Sequence, residues 1–166
     1  MTTENNTLLR YIRGQRNHVL GILEDLDEKT LRHAPLPSGW SPLALLNHLA
    51  LDDEQFWFAG VVAADPEVAA AVERGEPDGW HLDPALAVDQ VFARYRQQSD
   101  RTDAIIEACD LDAAPAWWPR SVFGDDFRLH TVREIVLHHL AETATHAGHL
   151  DIVREQIDGR QWIVQG

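Results

Sequence analysis

The sequence predicts an all-α protein built as a four-helix bundle. Three observations carry this: four stretches with helical apolar spacing, clear cap and breaker signals between them, and no sustained strand-like alternation. The first stretch covers residues 4–26, where Leu8, Leu9, Ile12, Val19, Leu23 and Leu26 fall near one helix face. Leu36-Pro37-Ser38-Gly39 interrupts it. Ser41-Pro42 then opens a second helix, expected over residues 41–64, with a serine N-cap and a proline at the first helical position, where its missing N–H leaves no bond unmade. Asp65-Pro66 and the acidic residues 73–79 read as a loop with room for a short helix between them. Asp83-Pro84 repeats the cap-then-proline signal and is expected to open a third helix that continues through Val91, Tyr95 and Ile106 to Cys109. Residues 113–129, with Pro115, Pro119 and Gly124-Asp125, read as a turn-rich connection with room for a small hairpin. Thr131-x-x-Glu134 has capping-box spacing ahead of an apolar run, so a fourth helix is expected over residues 131–156, and Asp158-Gly159 ends it.

Length and composition narrow the function classes. A chain of 166 residues fits one domain spanning residues 1–166, and 45% hydrophobic residues suffice for a core. Asp and Glu outnumber Lys and Arg 27 to 14, and the formal net charge of -13 repels phosphate backbones, so no nucleic-acid partner is expected. No apolar run approaches the roughly 18 residues of a membrane span, and Met1 to Asn6 lack a basic-then-apolar leader, so the expected location is cytoplasmic, without a membrane partner. Cys109 is the one cysteine, which excludes an intramolecular disulfide and a cysteine-based zinc knuckle; it reads as a packing residue. The six tryptophans are compatible with a homodimer, which the sequence leaves open.

The fourth helix carries the informative residues. Its inward stripe is expected to follow Ile135, Leu137 or His138, His139, Glu142, His146, His149 and Val153, with Arg133, Thr145, Asp151, Arg154 and Glu155 toward solvent. Histidines and a glutamate thus stand where a bundle normally places Leu or Ile, and a lone buried carboxylate is costly unless paired or bound to a cation. On the second helix, His48 interrupts the stripe Leu45, Leu49, Asp52, Phe56 in the same way. Glu142-x-x-x-His146 is an i, i+4 carboxylate–imidazole pair, and His48 from a facing helix would complete a His2Glu set for one divalent ion with open positions for water or substrate. The competing explanation is a Glu–His hydrogen bond on a polar face beside a hydrogen-bonded core histidine. Asp52, one turn after His48, is a candidate to orient that imidazole, His149 to contact water or substrate, and Trp57, with Trp117 and Trp118, to roof an apolar pocket or pack in the core. His138 reads as partly exposed.

Two segments carry a resemblance. Trp40-Ser41-Pro42-Leu43-Ala44-Leu45-Leu46-Asn47-His48-Leu49, followed by Glu54-Gln55-Phe56-Trp57-Phe58, resembles the first-ligand helix of the DinB-like family. His139-Leu140-Ala141-Glu142-Thr143-Ala144-Thr145-His146-Ala147-Gly148-His149 through Asp158-Gly159 resembles its last bundle helix, in the branch of mycothiol-dependent maleylpyruvate isomerases and related mycothiol S-transferases. The resemblance spans nearly the whole chain in helix order, with specific motifs over about a third of it. It implies a bundle with one long crossover, a divalent metal ion (zinc or nickel) on His48, Glu142 and His146, and a low-molecular-weight thiol such as mycothiol or bacillithiol. Many relatives carry His in place of Glu142 and Gln in place of His149. The isomerases have an additional C-terminal domain that is not expected here, so their activity is not carried over.

The expected function is therefore metal-dependent thiol S-transfer, conjugating a small thiol to a small-molecule electrophile in detoxification or metabolism. A thiol with a free pKa near ~8.5 is mostly protonated at neutral pH, and coordination to a Lewis-acidic ion deprotonates it. Two rivals remain: a hydrolase using metal-activated water, and a non-catalytic stress-response or ligand-binding bundle with a structural metal.

Overall fold

Most helix starts among the described residues are set by short side chains that accept otherwise unpaired backbone N–H groups. Thr2 accepts from Asn5, Ser41 from Ala44, Asp65 from Glu67 and Val68, and Thr131 from Glu134. In the computed structural model, which describes residues 2–76, 78–124 and 126–162, the elements that follow are α1 (Thr3–Leu23), α2 (Glu28–Arg32), α3 (Pro42–His48) passing directly into a π-helical segment (Leu49–Val62), α4 (Pro66–Glu73), α5 (Val88–Ala108), α6 (Arg120–Phe123) and α7 (Val132–Asp158). Gly159, at φ 77°, closes α7 in the left-handed conformation that glycine adopts without strain. All of these elements are helical, as the sequence predicts.

Three boundaries differ from expectation. The first helix stops at Leu23, because Asp25 takes a φ of +63°; Leu26 packs against the core from the turn. The third begins at Val88: the Asp83 carboxylate accepts from Ala85 N, and the turn closes there with Leu86 N on Asp83 O. The 113–129 connection carries α6 in place of a hairpin, and no strand occurs among the described residues; Asp125 lies outside them.

The bundle is a ring in which α1 packs on α7, α7 on the π-helical segment, that segment on α5, and α5 on α1. Its core divides into two apolar clusters. One joins Val19, Ile22, Leu45, Leu49, Tyr95 and Leu150; the other joins Leu9, Ile12, Phe58, Ile106, Ile135 and Val136. Between them lies a buried polar layer to which all four long elements contribute: Arg16, Asp53 and Glu54, Ser99 and Thr102, His139 and Thr143. Arg16 meets Glu54 with two hydrogen bonds, Nε–Oε1 at 2.6 Å and the terminal nitrogen to Oε2 at 2.8 Å. His139 Nδ1 sits 2.9 Å from Asp53 Oδ2, an ion pair without hydrogen-bond alignment, and its Nε2 sits 3.5 Å from Glu54 Oε1.

The π winding decides which residues reach this layer. With bonds to the fifth residue back, as in Ala63 N to Phe58 O, residues four apart share a face. Burial accordingly starts in pairs, Leu49 and Ala50 and then Asp53 and Glu54, and becomes continuous from Trp57 to Val62, where α4 covers Ala59 and Gly60. The expected α-helical stripe through Asp52 and Phe56 is corrected: both are only partly buried, and Asp53 and Glu54 take the core. On α7 the core line runs through Ile135, His139, Thr143, Ala147, Leu150 and Val153. Glu142 and His146 flank it, and Leu137 and His149 are exposed. Arg154, expected in solvent, is buried, donating to Ile22 O and Glu24 O and pairing with Asp158, which satisfies carbonyls at the end of α1.

Burial alone pulls the His139 pKa down, but the Asp53 and Glu54 carboxylates outweigh it and hold the value above 6.5. Burial likewise pushes Glu54 up, and His139 and Arg16 together bring it below 4.5. The surroundings thus favour the charged form of both groups. Glu54 contributes stability above its unfolded value that is lost as pH falls through its lowered folded value, below 4.5. His139 contributes stability below its unfolded value that is lost as pH rises through its raised folded value, above 6.5. Denaturant melts across pH are expected to show both losses. Glu54→Gln, which leaves Arg16 buried against a neutral partner, is expected to lower stability by about 3 kcal/mol and to remove the acid-side loss. Unchanged stability in that variant would contradict the layer's role.

Candidate metal and substrate site

His48 is the last residue of α3, and its ring is positioned from two sides. Nδ1 lies 2.8 Å from Asp52 Oδ2, one turn on, which leaves Nε2 as its uncommitted nitrogen. Asp52 is itself held by the backbone N–H of Gly79, at 3.0 and 3.2 Å from its two oxygens. Gly79 O accepts from Asn47 Nδ2 at 2.8 Å, and Arg94 donates to Asn47 Oδ1 at 2.6 Å. This strap lays Trp80 flat on the His48 imidazole, ring centroids 4.1 Å apart. A β-carbon on Gly79 would stand 2.8 Å from His48 Cα, so the close approach requires glycine.

His146 comes from α7 and brings its ring to 5.1 Å from that of His48. Burial above all, reinforced by the neighbouring His48 ring, pulls its pKa down to about 4 against the opposing effect of Glu142. It is therefore a neutral imidazole at physiological pH, with a lone pair to offer. Its Nδ1 is buried without a hydrogen-bond partner, and Nε2 is 3.7 Å from Glu142 Oε2.

His48 and Glu142 line a cavity of about 600 Å³. Phe56, Trp57, Val68, Val72, Val122 and Phe123 form its apolar wall, and Asp52, Asp53 and His138 are also at its surface. Trp57 is buried, stacked on Phe123 at 5.5 Å and edge-on to His138 at 4.9 Å. A second cavity of about 800 Å³ adjoins the first, sharing Leu51, Gln55 and Asp78. Its lining sets Leu51, Leu82, Leu86 and Ala93 beside amides and charged groups, among them Asn47, Gln90, Arg94, Gln97 and Gln98.

The family model described as mycothiol S-transferase matches residues 7–159. The chain belongs to the mycothiol S-transferase family. The all-helical structure agrees with the DinB-like bundle of that family. No curated protein and no solved structure matches the chain. Membership implies a thiol substrate of the mycothiol kind. Cys109 is no substitute for it, since burial, with Asp110, raises its pKa and keeps it a thiol. No helix among the described residues is long and apolar enough to cross a membrane.

Two imidazoles and a carboxylate suit the divalent ion that the DinB-like resemblance implies, and the partnerless His146 Nδ1 and uncommitted His48 Nε2 match by chemistry. Among the described residues no group of three or more His, Cys, Asp or Glu is gathered closely enough to hold a metal ion. Glu142, with 46% of its side chain exposed, is the member with most room to rearrange. Of the other sequence candidates, Asp52 and Trp57 line the first cavity, while His149 does not, its ring 5.5 Å from His146. Trp117 packs beside α4 and Trp118 against Trp57.

Sequence reasoning missed Trp80, Gly79 and Asp53. The spacing-of-four rows Leu49-Asp53-Trp57-Val61 and Ala50-Glu54-Phe58-Val62 are the signal that could have placed Asp53 and Glu54 inside. Trp80 and Gly79 sit in a loop with no periodicity to read. Gly79→Ala is expected to displace the strap, lowering stability by about 1–3 kcal/mol and altering Trp80 fluorescence. Wild-type spectra and melting in that variant would show that the close approach carries no weight.

Proposed function

We propose that the protein is a divalent-metal-dependent S-transferase joining the sulfur of mycothiol, or a closely related thiol, to a small electrophile. The observation that carries the reading is the meeting of the His48 and His146 rings, from separate elements, beside a cavity that His48 and Glu142 line. His48, His146 and Glu142 would hold the ion, with zinc best suited to the donor set and nickel also accommodated. When bound, such an ion supplies Lewis acidity that lowers the pKa of a thiol.

The chain's own groups do the rest. Asp52 fixes the His48 ring and places a proton on Nδ1, so that Nε2 presents its lone pair. Trp80 covers the outer face of that imidazole and excludes water from it. Trp57, Phe56 and Phe123 provide an apolar wall against which an electrophile is desolvated and oriented. The neighbouring amide-rich cavity suits the polar body of the thiol, with its sulfur directed past Leu51 and Gln55 toward His48. A hydrolase would need one such compartment; two adjoining compartments of different polarity favour a two-substrate transfer.

Elemental analysis of the purified protein beside His146→Ala is expected to show one divalent ion lost in the variant, and equal content in both would remove the metal from the reading. Asp52→Ala is expected to weaken metal affinity about 10–100-fold by competitive chelator titration. Turnover of an electrophile is expected to require added mycothiol; turnover at the same rate without it would replace transfer by hydrolysis.

A further inference from the structure

The cavity beside His48 has an unequal charge inventory. Asp52, Asp53, Glu76, Asp78 and Glu142 line it, and among the described residues no Lys or Arg does. Arg74 pairs with Glu76 at 3.1 Å but is not part of the lining. A divalent ion on His48, Glu142 and His146 would still leave carboxylates in excess. An anionic ligand entering here loses its hydration and meets like charge, which costs affinity on both counts.

One of these carboxylates is unusual. Asp53 is 3% exposed. Its Oδ2 is occupied by His139 Nδ1 at 2.9 Å and by the Thr143 hydroxyl, which donates at 3.1 Å. Its Oδ1 is buried with no partner. An unmet acceptor on a buried carboxylate is costly, and Asp53 is a lining residue of the cavity. A donor from a bound molecule would complete it, while the molecule's apolar body lies against Trp57 and Phe123.

From this we infer that the occupant of the cavity is an apolar, ring-sized molecule bearing a hydroxyl or amine donor, neutral or cationic and not a carboxylate, whose donor is received by Asp53 Oδ1. The inference rests on the transferase reading only in taking this occupant as the electrophilic substrate. Asp53 then acts as a specificity residue, and His139 and Thr143 as the groups that fix its orientation.

The test uses unreactive probes on the whole protein without thiol or added metal, so that loss of S-transfer would overturn the earlier reading and leave these titrations standing. Calorimetric titration with 2-naphthylmethylamine, 2-naphthylmethanol, the methyl ether of that alcohol, and 2-naphthoate is expected to rank amine and alcohol at least about tenfold tighter than the carboxylate, with the ether weaker than the alcohol. Asp53→Asn, checked for folding by its melt, is expected to cut amine affinity about tenfold. Glu76→Lys, at the exposed rim, is expected to weaken the amine and strengthen the carboxylate. Naphthoate binding as tightly as the amine to the wild type overturns the inference, as does equal affinity for alcohol and ether. An amine affinity that Glu76→Lys leaves unchanged does so as well.

Discussion

A guanidinium in the middle of a helical bundle is tolerable only if its charge is met and its donors are used. Arg16 has both conditions fulfilled by Glu54 and Asp103, and Glu54 in turn faces His139, which faces Asp53. These contacts join α1, the π-helical segment, α5 and α7, and the Arg16–Glu54 pair crosses the diagonal of the ring rather than one of its packed edges. Apolar packing above and below the layer supplies most of the folding free energy, at about 1.5–3 kcal/mol per fully buried large side chain. That packing is indifferent to small slips of one helix along another. The polar layer is not, because a displaced helix would leave a buried ion without its partner. Register is fixed there.

The π winding follows from the same layer. An α-helix through residues 49–62 would turn Asp52 and Phe56 inward with Leu49. The π-helical arrangement presents Asp53 and Glu54 to the layer and leaves Asp52 at the cavity, within reach of His48 and Gly79. Two successive acidic residues therefore serve different purposes: Glu54 faces Arg16, and Asp53 stands between layer and cavity. π-helical turns are usually short and recur at functional sites. Here the segment itself supplies Asp53 and Glu54 to the ionic layer, while His48, the residue just before it, meets His146 of α7.

Much of this was legible in the sequence. Caps, prolines and apolar spacing located four long helices, and Thr131 and Gly159 bound the last to within two residues of expectation. The pairing of His48 with His146 was legible because each histidine broke an apolar pattern on its own helix. The core face of the last helix was not, since Thr143, Ala147 and Leu150 compete with Glu142, His146 and His149 at the same period, and helix-face arithmetic cannot rank two adjacent stripes. Nor was Arg154, whose long polar side chain reaches back to the carbonyls that end α1, a contact with no local sequence signature. Asp52 and Phe56 were placed inward, and Asp53 and Glu54 left without a place, for a different reason: a period of 3.6 was applied where the chain winds more loosely.

The division between a rigid floor and an adaptable rim bears on how two substrates can share one site. Asp53 is anchored by His139 and Thr143, two fully buried side chains of α7. Trp80, by contrast, is held by stacking and by a strap of single hydrogen bonds, and Glu142 has solvent on one side. Motion at the rim costs few contacts; motion at the floor would separate buried charges. A transferase must admit a thiol and an electrophile and then release a product larger than either. In the proposed reaction those exchanges would pass Trp80 and Glu142, so that the orientation of His48 and Asp53 is kept while the rim moves.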